Sequence, residues 1–404
     1  MPMIRALALL LAVFMVGAAS SLPAQQPAGA IADPAEAAPA SERPSDLNLG
    51  NVLSVVEPMA DRTVVFTGRA AWDAATTSTL VMADDRNPAR LVLADERPKA
   101  FPRRGTWISP TIETEFPVTE VLPSWNVETP PNTGFTFEVS TRSTATGKWS
   151  DYVYMGQWGR TVHWPDRTLE TETGGVHVDI LKLTEPASAL RVRVRFFSFD
   201  LASWAKPALR RLTVVYSGPT KAPLEVVPPP RPAEGWKLPV PFTPQGDNPE
   251  AIAGSTCSPT STRMVMAYRG VELPLTEVAL GIYDPEYGIF GTWNRAVAFA
   301  GSHGLDASLT RIRSWEQVET LLAQGQPIIA SIRFRRGEFP ENVLKSTNGH
   351  LIVVRGMTPE GDLIVNDPAS REKGEAVVYT RASLKNAWLD KGGVGYLIGP
   401  PAGN

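Results

Sequence analysis

Between about residues 51 and 217, hydrophobic and polar positions alternate with a period of two. In Leu190–Phe196, apolar residues alternate with arginines, and similar short runs bounded by turn residues recur through the region. A period of two places successive side chains on opposite faces of a strand. Many short strands without intervening helices predict an all-β sandwich or jelly roll over 51–217. The runs that carry this prediction are 62–66, 135–140, 176–180, 190–196 and 212–216.

After about residue 238, apolar positions first follow helical spacing and later form short apolar runs. Helices are predicted from Cys257 to the stop at Gly270, over 275–283 and 292–303, and from the capping-box pair Ser314 and Gln317 through Ala323. Strands are predicted over 327–332, 350–354, 363–366 and 376–379, and a turn at 359–362 joins the second to the third. Helices followed by an antiparallel sheet predict an α+β domain over 238–404.

Two proline-rich segments and an apolar N-terminus complete the predicted organisation. Arg5 is followed by an apolar run from Ala6 to Val16 and then by small residues, a pattern typical of a secretory signal peptide over 1–24. An uncleaved membrane anchor is the alternative, but the run is shorter than the ~20 residues that span a bilayer. We therefore expect an exported bacterial protein, periplasmic or secreted, with no transmembrane segment after cleavage. A disordered spacer is expected over 25–50 and a linker over 218–237.

Composition narrows the possible partners. The net charge of −3 gives no electrostatic reason to expect nucleic-acid binding. His163 and His177 lie far apart and without clustered Cys, Asp or Glu, so neither a metal nor another cofactor is expected. Trp125, Trp149, Trp158 and Trp164 fall in predicted loops or strand ends. If exposed they would stack on sugars, which makes a glycan or cell-wall ligand possible, but the favoured interpretation is that they pack in the core.

Cys257 is the only cysteine in the 404 residues, and it lies where a helix is predicted to begin. Free N–H groups and the dipole at a helix N-terminus favour the thiolate, which is the nucleophilic form. A small buried hydrophobe is the ordinary alternative for a free cysteine. The position at a helix entry favours a catalytic nucleophile.

A thiolate nucleophile needs a base, which is usually histidine. His303 lies at a predicted helix end, where the dipole alone explains it. His350 opens an apolar strand, and Asn366 and Asp367 end the next one, so Asp367 could orient the imidazole. A turn near 360–361 would however place Asp367 opposite Val354, and the two would meet only through strand twist, a bulge or a longer excursion.

Together these residues resemble cysteine peptidase family 39 and its C39-like relatives, in the order Gln245, Cys257 opening a helix, Gly349-His350, and Asn366-Asp367-Pro368. The resemblance covers about 238–398 and implies a papain-like fold of the exported stand-alone type with an N-terminal β-sandwich. It implies Cys257 as nucleophile, His350 as general base and acid, Asp367 as the orienting residue and Gln245 as the oxyanion-hole donor. From its loop position alone, Gln245 would be an ordinary loop residue.

One departure from the family pattern affects the expected activity. Glycine usually follows the nucleophile, and here Ser258 stands in its place, where it could crowd the nucleophile or the substrate cleft. The leading hypothesis is a cysteine hydrolase that cleaves peptide or other amide bonds in peptides or proteins. The alternative is a non-catalytic cell-envelope or glycan-binding protein with a degenerate peptidase domain.

Overall fold

The structure is a computed structural model that describes residues 59–83, 87–94, 103–160, 168–200, 205–220 and 226–401. The predicted signal peptide (1–24), the spacer (25–50), His163, Trp164 and residues 221–225 of the predicted linker lie outside these described residues. Within the described parts of the chain, no helix has the length and apolar character needed to cross a membrane.

The N-terminal region is all-β, as the alternating pattern predicts. Its long strand β11 pairs with β6 through its first half and with β5 and β7 through its second half, so it joins the parts of one antiparallel sheet. The elements are β1 (Met59–Thr67), α1 (Gly68–Asp73), β2 (Thr76–Ser78), β3 (Leu80–Ala83), β4 (Arg90–Leu93), β5 (Arg103–Ile108), β6 (Ile112–Glu128), β7 (Thr133–Ser143), β8 (Val153–Gly159), β9 (Glu170–Thr171), β10 (Gly174–His177), β11 (Ile180–Ser198) and β12 (Ala208–Pro219).

Strand β11 shows why the pattern folds this way. Its apolar residues Val192, Val194 and Phe196 are fully buried in the core of the sandwich. Arg193 and Arg195 point to the other face, where both form ion pairs with Glu138 on the neighbouring strand β7. The alternation read from the sequence therefore separates a buried face from a charged face.

The C-terminal region is α+β, as predicted. Its antiparallel sheet has the order β14-β19-β15-β16-β17-β18, with β13 also paired to β16. The elements are β13 (Trp236–Lys237), a 3₁₀ helix (Gln245–Asp247), α2 (Glu250–Ala253), α3 (Cys257–Tyr268), α4 (Leu275–Ile282), α5 (Trp293–Ser302), β14 (Leu305–Arg311), α6 (Trp315–Ala323), β15 (Ile328–Phe334), β16 (Thr347–Met357), β17 (Leu363–Asn366), β18 (Val377–Tyr379), α7 (Arg381–Ala387), a 3₁₀ helix (Leu389–Lys391) and β19 (Val394–Pro401). The capping box at Ser314 and Gln317 is confirmed.

The two regions share one hydrophobic core. Residues of the sandwich and of α3, α4 and α5 belong to the same buried cluster, and the described residues from Met59 onward belong to one compact unit. Polar contacts reinforce the junction, because buried Asn126 of β6 exchanges two hydrogen bonds with the backbone of Ala307 on β14, at 2.8 and 3.1 Å. The ion pairs Arg211–Asp306, Arg311–Glu120 and Arg313–Asp61 also cross it. The boundary at 218–237 stays a prediction.

Candidate active site

Helix α3 places Cys257 at its first position, next to strand β16. Pro259 lies in the first turn, where its missing N–H leaves no bond unmade. One turn further along, the Ser261 hydroxyl donates to the carbonyl oxygen of Leu351 at 3.0 Å, which fixes the helix against the residue after His350. Cys257 is half-buried, and its sulfur is hydrogen-bonded by the backbone N–H groups of Ser258 and Leu351.

His350 lies between Cys257 and Asp367. The residue is buried (3% exposed), and its Nε2 lies 2.7 Å from Oδ1 of Asp367. The imidazole is also hydrogen-bonded to the Cys257 side chain. Because Nε2 is hydrogen-bonded to Asp367, Nδ1 is the ring nitrogen that faces the Cys257 sulfur.

Asp367 is fully buried, and its remaining hydrogen bonds hold it in place. Oδ1 also accepts from the backbone N–H of Ala369 at 3.0 Å, and Oδ2 accepts from the hydroxyl of Tyr379 at 2.8 Å. Neighbouring Asn366 does not join this group, because its side-chain amide donates to the carbonyl of Val240. Asn366 and Asp367 therefore bond different parts of the chain: Asp367 bonds His350, and Asn366 bonds Val240.

A bulge in β16 brings Asp367 onto the face of His350. The pairing runs Gly356 with Ile364 and then Val354 with Val365, so Arg355 is an extra residue. Continued past the end of β17, this register places Asp367 opposite Ile352, which shares a strand face with His350. The register predicted from the sequence, with Asp367 opposite Val354, is therefore wrong by two residues. A bulge, one of the three features predicted to allow contact, brings Asp367 onto the face of His350.

The charges of the three side chains depend on one another. Burial by itself lowers the pKa of His350, but the Asp367 carboxylate and the hydrogen bonds to Asp367 and Cys257 outweigh it and raise the pKa to about 10. Burial by itself raises the pKa of the Cys257 thiol, but the hydrogen bond and charge of His350 hold it below its usual range. Burial also opposes ionisation of Asp367, and the charge of His350 reverses that effect, so its pKa is lowered. The arrangement favours a thiolate–imidazolium pair at neutral pH.

Ser258 does not crowd the cleft, contrary to the expectation from its sequence. The residue is fully buried, and its hydroxyl is hydrogen-bonded to the hydroxyl of Tyr396 on β19 at 3.2 Å. It forms no part of the cavity wall beside Cys257. The side chain points into the core because the residue after the helix start faces β19 rather than the open side.

Gln245 lies next to the turn that carries Asp367. Its backbone N–H donates to the carbonyl of Pro368 at 2.8 Å, while its side-chain Oε1 is buried and has no hydrogen-bond partner among the described residues. The structure gives no hydrogen bond between Gln245 and Cys257, and its oxyanion role stays a prediction.

The Cys257 sulfur lies in the wall of a cavity of about 420 Å³, which we call the catalytic cavity. Its other walls come from the loop before α5, the end of β15 and the start of β16. Small and apolar residues line most of it, including Gly254, Gly291, Phe290 and Trp293.

The sandwich holds one wall of this cavity through Asp179, which sequence reasoning missed. Asp179 follows β10 in a tight turn, is buried, and accepts hydrogen bonds from the backbone N–H groups of Trp293 at 2.8 Å and Asn294 at 3.5 Å. It therefore caps α5, whose own preceding residue Thr292 provides no side-chain cap. The only sequence signal was a lone acid in a hairpin turn, and nothing in it pointed to a helix more than 100 residues away.

His303, Trp125, Trp149 and Trp158 have structural positions. His303 Nδ1 lies 2.9 Å from the carbonyl oxygen of Phe299 at the end of α5. Trp125 and Trp158 are 1% and 7% exposed, so neither can stack on a sugar, and core packing is the correct interpretation for both. Trp149 is half-buried, with the guanidinium of Arg191 4.2 Å from its ring centroid. No group of three or more His, Cys, Asp or Glu side chains within the described ranges is placed to hold a metal ion.

In comparisons with known proteins, a different family model matches each of the two regions of the chain. Residues 237–396 match the family model described as "Peptidase_C39 like family", and residues 62–217 match the one described as "Peptidase C39 N-terminal domain". No curated protein matches the chain.

Several solved structures are similar to parts of the chain. A double glycine motif protease from an AMS/PCAT transporter, in complex with the leader peptide, is 19% identical over 41% of this chain and 98% of its own, with a TM-score of 0.30. A C39-like peptidase from Bacillus anthracis is 19% identical over 42% of this chain and 99% of its own, with a TM-score of 0.33. A carbohydrate-binding module, TmCBM61 in complex with β-1,4-galactotriose, is 10% identical over 40% of this chain and 88% of its own, with a TM-score of 0.18.

Proposed function

Because this chain belongs to the C39-like peptidase family through residues 237–396 and carries the peptidase C39 N-terminal domain in residues 62–217, we propose that it is an exported cysteine hydrolase that cleaves a peptide or other amide bond. The observation that carries the proposal is the hydrogen-bonded series Cys257–His350–Asp367, with its sulfur at the wall of the catalytic cavity. Export rests on the signal-peptide pattern of residues 1–24.

The reaction follows from the charges of the resting pair. The Cys257 thiolate attacks the carbonyl carbon, and the developing oxyanion accepts hydrogen bonds from backbone N–H groups at the start of α3 and from Gln245. The His350 imidazolium gives its proton to the departing amine, which leaves a thioester on Cys257. Neutral His350 then takes a proton from water as the water attacks the thioester, and the release of the acid restores the thiolate and the imidazolium.

The pH dependence of Cys257 alkylation tests the nucleophile directly. Iodoacetamide reacts with the thiolate, so in the wild-type chain we expect rapid alkylation well below the ordinary thiol pKa of about 8.5. His350→Ala should move the midpoint up towards that value, because the lowered pKa depends on the imidazolium. An ordinary thiol profile in the wild type, unchanged by His350→Ala, would contradict the proposal.

Hydrolysis itself is tested by comparing new N-termini among secreted proteins of cells that express the wild type or Cys257→Ala. We expect a set of cleavages that depends on Cys257. Identical N-termini in both strains would count against a peptidase and leave small amides as substrates.

Two observations count against the non-catalytic alternative. It depended on crowding by Ser258, whose side chain points into the core, and on exposed tryptophans, of which Trp125 and Trp158 are buried. No observation on the described surface favours a glycan ligand over a peptide substrate.

A further inference from the structure

The charged residues that line the catalytic cavity are all cationic. Arg333, at the end of β15, and Lys391, at the end of the 3₁₀ helix before β19, contribute to its wall, and no Asp or Glu does so. Arg333 directly follows Ile332, the cross-strand partner of His350, so it belongs to the same part of the sheet as the catalytic base.

The cationic lining continues away from Cys257 into a second cavity of about 440 Å³. Arg333, Asn348 and Lys391 line both cavities, and the second adds Arg335. Glu338, the one acidic residue that lines this second cavity, accepts a hydrogen bond from the backbone N–H of Arg335 at 2.8 Å. We call Arg333, Arg335 and Lys391 the cationic end of the cleft.

Within the described part of the chain, these three side chains form no ion pair. Asp390, next to Lys391, is paired with Lys385 at 2.6 Å. Glu120 is paired with Arg311, and the positive charge of Arg333 acts on Arg311 as well. Asp390 and Glu120 are therefore paired with other cations. Arg333, Arg335 and Lys391 outnumber Glu338, the one acid that lines the two cavities, so the cleft keeps an excess of positive charge.

We propose that the cationic end of the cleft binds a carboxylate of the substrate, so that preferred substrates carry an acidic side chain or a free terminal carboxylate close to the cleaved bond. The proposal rests on the proposed hydrolase function of the same cavity. A guanidinium presents two parallel N–H groups to a carboxylate, and a cleft lined by one sign of charge concentrates ligands of the opposite sign.

The test uses two alkylating reagents that differ in charge but little in size. Iodoacetate and iodoacetamide both react with Cys257, and the ratio of their second-order rate constants cancels any change in the thiol itself. We expect Arg333→Gln with Lys391→Gln to lower the ratio of iodoacetate to iodoacetamide about tenfold, the size expected for loss of a charge-assisted contact. Added salt should lower the ratio in the wild type and have little effect in the double variant.

Arg336→Gln is the matched control, because Arg336 is an exposed neighbour that lines neither cavity. The ratio should stay at the wild-type value in this variant. An equal ratio in the wild type and the double variant would overturn the inference and leave the hydrolase proposal intact. A Cys257 inert to both reagents would instead contradict the hydrolase proposal, and the inference with it.

Protection of Cys257 from iodoacetamide shows whether the bound carboxylate is an acidic side chain or a peptide C-terminus. Three peptide libraries of equal length are compared: acidic with an amidated C-terminus, neutral with a free C-terminus, and neutral with an amidated C-terminus. Selective protection by the first identifies an acidic side chain, and selective protection by the second identifies a terminal carboxylate. Equal protection by all three, unchanged in the double variant, would contradict carboxylate recognition.

Discussion

Among single residues, Asp367 has the largest effect on the charge of the pair. It is fully buried and accepts hydrogen bonds from His350, the Ala369 backbone and Tyr379. The raised pKa of His350 depends on its negative charge. In Asp367→Asn we expect the pKa of His350 to fall and the pKa of Cys257 to rise towards its ordinary value. Amide cleavage should slow by about 100-fold or more.

The alkylation midpoint of Cys257 and the cleavage rate check this prediction together. Tyr379→Phe is the matched control, since it removes one hydrogen bond from Asp367 and keeps the carboxylate charge. A midpoint equal to the wild type in Asp367→Asn would show that Asp367 does not set the charge of the pair.

Ser258 gives a second prediction for a single residue, this time about stability. Its hydroxyl is paired with the buried hydroxyl of Tyr396, so Ser258→Ala leaves a buried polar group without its partner. We expect the free energy of unfolding to fall by about 1–3 kcal/mol, with the iodoacetamide rate of Cys257 within about twofold of wild type. Urea unfolding and alkylation measure the two effects. A large gain in alkylation rate would mean that Ser258 does crowd the sulfur.

For the helices and strands, the sequence predicts positions well and register poorly. The capping box at Ser314 and the short runs of apolar residues are local signals, and the structure places the elements within a few residues of them. The bulge at Arg355 is not local. Its carbonyl accepts from the N–H of Leu238 at 2.8 Å, and its Nε donates to the Leu238 carbonyl at 2.9 Å. A contact with a segment more than 100 residues away therefore sets where Asp367 lies, which no periodicity could show.

Gly356, beside the bulge, tests how much this contact matters. A Cβ added there would lie 2.2 Å from the carbonyl oxygen of Trp236 on β13, so one strand would have to shift. We expect Gly356→Ala to lower the free energy of unfolding by about 1–3 kcal/mol. Gly246→Ala is the matched control, because a Cβ there meets no atom within 4 Å. Equal urea midpoints for the two variants would contradict a role for close β13–β16 packing.

Across the whole molecule, the sandwich and the peptidase region act as one folded unit. Asn126 and Asp179, both from the sandwich, bond the backbone of the peptidase region, and Asp179 caps the helix whose first residue lines the catalytic cavity. The sequence pattern predicts both regions but not the junction, because these two contacts join residues more than 100 positions apart. The two regions differ in pattern, yet residues of both belong to one buried cluster.

Asp179 makes the stability of this unit depend on pH. Burial raises its pKa to about 7, opposed by the hydrogen bonds from Trp293 and Asn294 and reinforced by the charge of Asp284. In the unfolded chain, the pKa of an aspartate is about 3.9. Between these values the folded state binds more protons than the unfolded state, so the contribution of Asp179 to stability falls as pH rises from about 4 to about 7. Above pH 7 the penalty is complete, and each unit of difference in pKa costs about 1.4 kcal/mol.

Asp179→Asn removes this titration and keeps an oxygen that can accept the Trp293 N–H. We expect the free energy of unfolding of the variant, relative to wild type, to increase steadily from pH 4 to pH 7 and then to level off. Urea unfolding across this range measures it. Asn126→Ala supplies the control, because it weakens the same junction without a titratable group, so its difference from wild type should be constant with pH. If Asp179→Asn also showed a constant difference, ionisation of Asp179 would not be coupled to folding.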